Sequence, residues 1–121
     1  MTKTYLISVI IPVYNGGFYI DSCLKCLMNQ TYKNLEIIVI NDGSTDNSEQ
    51  TIKKYPVHLI SLPNNSGISV ARNRGIDTAK GEYIHFMDVD DSINKDYYNK
   101  MLEAITEADA DIACSGMVNE P

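Results

Sequence analysis

Residues 5–11, YLISVII, form a nearly continuous apolar, β-branched run, the pattern of a strand covered on both faces, and Pro12 is expected to end it. From about residue 17 to 29 the period changes: Ile20, Leu24, Leu27 and Met28 recur at helical spacing. Residues 35–40, LEIIVI, read as a second strand that runs into Asn41, Asp42 and Gly43. A second helix follows, with Thr45 or Asp46 at its start; with Asp46 as the cap, Glu49 is the acidic residue three positions later. Residues 57–62 make a short third strand. Ser66 can then cap a helix whose stripe is Ile68, Ala71, Gly75, Ile76 and Ala79, with Gly81 as its stop. Residues 83–87, YIHFM, supply strand four, and residues 95–108 a helix turning Met101, Leu102 and Ile105 inward. Residues 111–114, DIAC, look like the start of strand five.

Strand and helix alternate with short connections, which predicts a mostly parallel sheet with helices on both faces, a three-layer α/β/α sandwich with right-handed crossovers. Ligands of such sheets bind beyond the carboxyl ends of the strands, where strand order reverses. Residues 12–15, Asp42 and residues 88–91 all follow predicted strand ends, so they can converge although they are far apart in sequence.

The 121 residues suffice for one domain, residues 1–121, with a moderate core and no need of a metal or disulfide to fold. Sixteen acidic against ten basic residues, a formal charge of -6, argue against nucleic acid as a partner, since that surface needs Lys and Arg. Cys23 and Cys26 have CxxC spacing, but within a helical pattern and without a second pair; with Cys114 they read as free thiols, not a zinc site. No apolar stretch approaches the roughly 20 residues of a membrane span, and no secretory signal is visible.

Strand four runs straight into Asp88, Asp90 and Asp91, three carboxylates within four positions. The glycines after strand one form neither GxGxxG nor GxxxxGK[ST], so no standard phosphate loop is present. As a calcium loop the segment fails twice, with Ile93 where the turn needs glycine and Asn99 where a bidentate Glu is needed. Clustered carboxylates raise one another's pKa, and a divalent cation removes that penalty; hard oxygen ligands suit Mg²⁺ or Mn²⁺, with phosphate oxygens completing the shell. The plain alternative is a solvated acidic turn in which Asp91 or Ser92 caps the next helix, which leaves two carboxylates unexplained. Tyr14, one of eight tyrosines, reads by itself as structural, although its ring could offer an aromatic face to a base. Asn65, Asn73 and Arg74 read as loop and helix organisers, and His58 and His85, within strands, as packing residues.

Five segments in order, ISVIIPVYN at 7–15, NQTY at 29–32, EIIVINDGSTD at 36–46, NSGISVARNRG at 65–75 and GEYIHFMDVDD at 81–91, resemble the nucleotide-binding half of the family 2 glycosyltransferases, inverting enzymes of the GT-A fold. The resemblance spans nearly the whole chain. It implies a truncated Rossmann-like GT-A sheet that binds a nucleotide-diphosphate sugar donor. Pro12, Val13, Tyr14, Asn15 and Asp42 would line the base and ribose pocket, with Arg72 near the base. Asp88 and Asp90 match the DxD motif, Asp88 approaching the ribose and Asp90 reaching a Mn²⁺ or Mg²⁺ ion, with Asp91 supporting the loop. The family continues beyond this point with an acceptor surface and an acidic general base, so the chain is expected to bind donor without transferring sugar alone. An edge left unpaired would favour self-association. Asp109 and Asp111 are expected to be cap or surface residues. The implied setting is the cytoplasm, at the inner face of the membrane, with a glycan as acceptor. Two other readings are a nucleotide-binding scaffold without turnover and a magnesium-dependent phosphohydrolase of the haloacid-dehalogenase kind, whose DxDx[TS] motif residues 88–92 formally satisfy.

Overall fold

The structure, a computed structural model, describes residues 4–108 and 117–119. Its elements are β1 (Ile7–Val13), α1 (Ile20–Met28), β2 (Leu35–Asp42), α2 (Ser48–Ile52), β3 (His58–Leu62), α3 (Ile68–Thr78), β4 (Tyr83–Phe86), α4 (Tyr97–Ala108) and β5 (Met117–Asn119). The sheet order is β3-β2-β1-β4-β5; the first four strands are parallel, and β5 runs antiparallel to β4. Residues 111–114, expected to begin the last strand, lie outside the described residues, as do Asp109 and Cys114.

Alternation along the strands sorts the core into two layers. Ile7, Val9, Ile11 and Val13 of β1, with Ile37 and Val39 of β2, pack with Leu24 and Leu27 of α1, Ile52 of α2, and Tyr98, Leu102 and Ile105 of α4. On the opposite face Ile38 and Ile40 meet Ala71 of α3. Full burial of a side chain such as Leu24 stabilises the fold by about 1.5–3 kcal/mol. The second layer is thin because Gly75 rests directly on Ile10: a Cβ there would stand 2.4 Å from Ile10 Cγ2. The expected α3 stripe is accordingly narrower, confined to Ala71 and Gly75 with partial cover of Ile76 and Ala79, and Ile68 is 53% exposed. Ser66 does not cap α3. Its Oγ donates to Asn64 O, and the cap position is Gly67 at φ 97°.

Pro12 lies inside β1, opposite Ile40, and does not end the strand. Ile10 O accepts the N–H of Met87, so the even-numbered backbone groups of β1 face β4. Pairing with β4 stops at Ile10 and Phe86. The missing N–H of Pro12 therefore faces a side with no strand to receive it, and costs no ladder bond.

At the amino end of the sheet, Ser8 Oγ donates to Glu36 Oε1 (2.7 Å) and accepts the Gly81 N–H (2.8 Å), while Glu36 Oε1 also accepts the Lys80 N–H (2.8 Å). This fully buried serine ties β1, β2 and the entry to β4 into register. Cys23 is buried, which pushes its thiol up to about 12, and Cys26 is half-buried; both are free thiols. His85 is packed as expected, but His58 is exposed on edge strand β3. No helix among the described residues is long and apolar enough to cross a membrane.

Candidate functional site

Strand order reverses at β1, with β2 on one side and β4 on the other, so the segments leaving β1, β2 and β4 gather along one carboxyl edge of the sheet. Pro12, Val13, Tyr14, Asp42, Asn65 and Ile68 line a cleft of about 240 Å³ beside it. Four of these were expected from the sequence. Asn65 and Ile68 were assigned to loop organisation and to the core, yet both follow the end of β3, and the strand-end rule that singled out Asp42 reaches them too. A larger open depression of about 550 Å³, lined by Thr4, Thr31, Tyr32, Lys33, Asn34 and Asn99, lies at the opposite, amino end of the sheet. Its lining holds no carboxylate, and Lys33 is the one charged group in it, whereas the smaller cleft includes Asp42.

Asp42 ends β2 at 4% exposure. Its Oδ1 accepts the Ser66 N–H (2.7 Å) and its Oδ2 the Gly67 N–H (3.0 Å), so the carboxylate fixes the segment entering α3 as well as flooring the cleft. Gly43 allows that approach: at φ 74°, a Cβ would meet Asn64 C at 2.4 Å. Asn15, at φ 50°, bridges the segments after β1 and β2: its N–H donates to Ser44 Oγ (2.9 Å), and its Oδ1 accepts the Thr45 N–H (2.8 Å). Its side-chain oxygen is thus engaged within the protein, and it lies outside the cleft lining. Asp46 accepts the N–H groups of Ser48 and Gly17, both at 3.0 Å, and hydrogen bonds led by the Ser48 hydroxyl hold it below the usual carboxylate range. It serves the start of α2, as expected, although the cap position is Asn47 and Glu49 bonds Ser61 instead of closing a capping box. Tyr14 is half exposed at the mouth of the cleft.

Asp88, Asp90 and Asp91 follow β4. Each is exposed, and one ligand oxygen from each lies within 4.8 Å of the others. Asp91 N–H donates to Asp88 O (3.0 Å), and Asp91 Oδ2 accepts the Asp88 N–H (3.2 Å), closing a reciprocal turn that leaves the carboxylates of Asp88 and Asp90 facing outward. Arg72 of α3 approaches the same place. Its guanidinium is 3.8 Å from Asp88 Oδ1, and its Cζ stands 5.4 Å from the Phe86 ring centroid. Its Nε is buried without a hydrogen-bond partner among the described residues. The trio fits a small divalent cation by chemistry, with hard oxygen donors close together, although the Arg72 guanidinium competes with such an ion for Asp88. Asp88 and Asp90 would hold such an ion, and Asp91 shapes the turn.

The chain matches the model of the glycosyl transferase family 2 over residues 8–120, and it belongs to that family. It is 44% identical over 117 residues to the uncharacterized glycosyltransferase YibD of Escherichia coli, covering 93% of this chain and 34% of that protein. It is 34% identical to the putative teichuronic acid biosynthesis glycosyltransferase TuaG of Bacillus subtilis, covering 92% of this chain and 46% of that protein. Among solved structures it resembles S. aureus TarS 1-349 in complex with UDP-GlcNAc, with a TM-score of 0.83 and 34% identity over 88% of this chain and 32% of that one. The fold is the GT-A glycosyltransferase fold, and the chain spans about a third of the length of YibD and TarS 1-349. Family membership leaves no support for the phosphohydrolase reading.

Proposed function

We propose that this chain is the donor-binding part of a glycosyltransferase that moves a sugar from a nucleoside diphosphate carrier, a uridine diphosphate sugar, to a glycan acceptor with inversion, assisted by Mn²⁺ or Mg²⁺. The observation that carries the reading is the presence, at the carboxyl edge of one sheet, of a cleft with an apolar wall and a buried carboxylate beside an exposed carboxylate trio. Pro12, Val13 and Tyr14 supply a wall for base and ribose, and Asp42, itself fixed by two backbone N–H groups, presents its carboxylate to the base. Asn15 keeps the segment after β1 in place, and Arg72 reaches toward the nucleotide from the opposite side. Asp88 addresses the ribose and, with Asp90, holds the cation. A bound divalent ion would supply charge neutralisation for the diphosphate as it leaves. An acidic chain attracts a dianionic ligand only where its charge is cancelled locally, and the carboxylate pair is where such an ion would sit.

The likeness to TarS supports a uridine nucleotide, and the likeness to TuaG supports a cell-envelope glycan as acceptor, made at the cytoplasmic face of the membrane. These 121 residues, about a third of a full relative, are expected to bind donor and not to turn it over. Titration calorimetry with a panel of nucleoside diphosphates, each with and without Mn²⁺, tests the binding reading; equal affinity in the two conditions would remove the role given to Asp88 and Asp90. Sugar release from a labelled donor with broad acceptors tests the second expectation, which a rate near that of a full relative would overturn. A nucleotide-binding scaffold without transferase activity would pass the first assay and fail the second even in a chain of a full relative's length.

A further inference from the structure

Residues 88–92, the arch that carries the carboxylates, run between two fixed feet. The first is Met87, 1% exposed, whose N–H donates to Ile10 O at 3.0 Å and so belongs to the sheet. The second foot is held by the end of α1 and the turn after it. Cys26 Sγ donates to Ile93 O (2.9 Å) and accepts the Ile93 N–H (3.1 Å). Gln30 Nε2 donates to Asn94 O (2.7 Å), and Thr31 N–H donates to Lys95 O (2.8 Å). Three successive residues of the descending chain are thereby bonded through their backbones to a single short segment. Gln30 is fully buried, and its Oε1 has no hydrogen-bond partner among the described residues. A polar side chain kept in such a place at the cost of an unmet acceptor is there for its donor.

We propose that Cys26 and Gln30, with Thr31, are positioning residues for the carboxylates of Asp88 and Asp90: by pinning the second foot of the arch they keep the like-charged oxygens close enough to share one divalent cation. The inference rests on the metal-assisted reading above. Oxygens within 4.8 Å of one another repel, and a free arch would relieve that repulsion by widening. Mg²⁺ and Mn²⁺ tolerate little departure from their preferred oxygen distances, so widening costs affinity directly. A pinned arch meets that geometric cost in the fold, before the ion arrives. Because the latch acts on backbone atoms of residues 93–95, it works whatever side chains those positions carry. It does not touch the cleft formed by Pro12, Val13, Tyr14 and Asp42, so its effect is confined to the cation.

The test is the affinity of the full 121-residue chain for UDP by calorimetry, with and without Mn²⁺, in the wild type and in Gln30→Leu, Cys26→Ala and Cys26→Ser, each also melted thermally. The quantity read is the ratio of the two affinities. It is expected to fall about tenfold in Gln30→Leu and Cys26→Ala, the worth of about one net hydrogen bond, while metal-free UDP affinity stays within about twofold. Cys26→Ser, whose hydroxyl can also donate and accept, is expected to recover most of the loss. A ratio unchanged in both variants overturns the latch while leaving the metal reading standing. Affinities with and without Mn²⁺ that fall in parallel with melting temperature show a merely structural contact and overturn it as well. A wild type indifferent to Mn²⁺ overturns the metal reading and this inference together. Should Gln30→Leu not fold, the Cys26→Ala and Cys26→Ser pair decides alone.

Discussion

Arg72 and Asp88 face each other at 3.8 Å, a positive charge from α3 set against the first carboxylate after β4. The side chains are 40% and 58% exposed, so the pair adds little to stability. In the proposed donor site its weight falls on the ligands, with opposite signs. Removing the guanidinium in Arg72→Gln leaves the trio more negative, and Mn²⁺ alone is expected to bind about two- to fivefold tighter, the order of one surface-screened charge interaction. UDP without metal is expected to bind more weakly. The melting temperature should move by no more than about 2–4 °C, and both binding effects should shrink in high salt. Calorimetry at two ionic strengths checks all three; ion and nucleotide affinities that move in the same direction would remove Arg72 from the site.

Asp90 has no hydrogen-bond role in the turn that Asp91 closes, and it is exposed. Asp90→Asn is therefore expected to leave the thermal melt within about 0.5 kcal/mol of wild type and to abolish the Mn²⁺-dependent part of UDP binding. Persistence of that part would move the cation elsewhere.

Asp42→Asn tests a different link, from a buried side chain to the loop it holds. One carboxylate oxygen becomes an amide NH₂ that cannot accept, so one of the N–H groups of Ser66 and Gly67 loses its acceptor. The expected cost is about 1–3 kcal/mol, read as a lower melting temperature, together with faster amide exchange at residues 66–67. Exchange rates equal to wild type would show that the loop is held by other contacts.

His85 is 4% exposed, shares a 2.8 Å hydrogen bond between its Nδ1 and the Tyr98 hydroxyl, and meets the Tyr97 ring at a tilt and the Tyr98 ring edge to face. Burial, the dominant cause, lowers its pKa from 6.5 to about 4, against an opposing pull from Asp91. Its folded value lies below its unfolded one, so as pH falls from about 6.5 toward 4 the unfolded chain takes up a proton that the native chain refuses. Stability should therefore decline as pH falls through that window and be level above it. Denaturant melts between pH 7 and 4 measure the slope, which should flatten in His85→Gln; an equal slope in the variant would assign the loss to carboxylates.

The order of strands and helices from β1 to α4, the acidic cluster after β4 and the strand-end positions of Tyr14 and Asp42 were legible in the sequence, because hydrophobic period and turn chemistry are written over a few adjacent residues. Where each of those groups would turn was not. The carboxylate of Asp42 meets N–H groups 24 and 25 residues away, Ser8 meets Gly81 across 73, and Cys26 meets Ile93 across 67. Pro12 reads as a strand terminator until β4 is seen to stop short beside it, and Ile68 reads as core until Ala71 and Gly75 are seen to be the α3 residues buried against the sheet. The antiparallel course of β5 likewise follows from its pairing with β4 and from no periodicity of its own. Local backbone preference chose the elements; which polar group finds which partner was decided only when the sheet brought distant strand ends within hydrogen-bond reach, since a bond of that length has no counterpart in residue spacing.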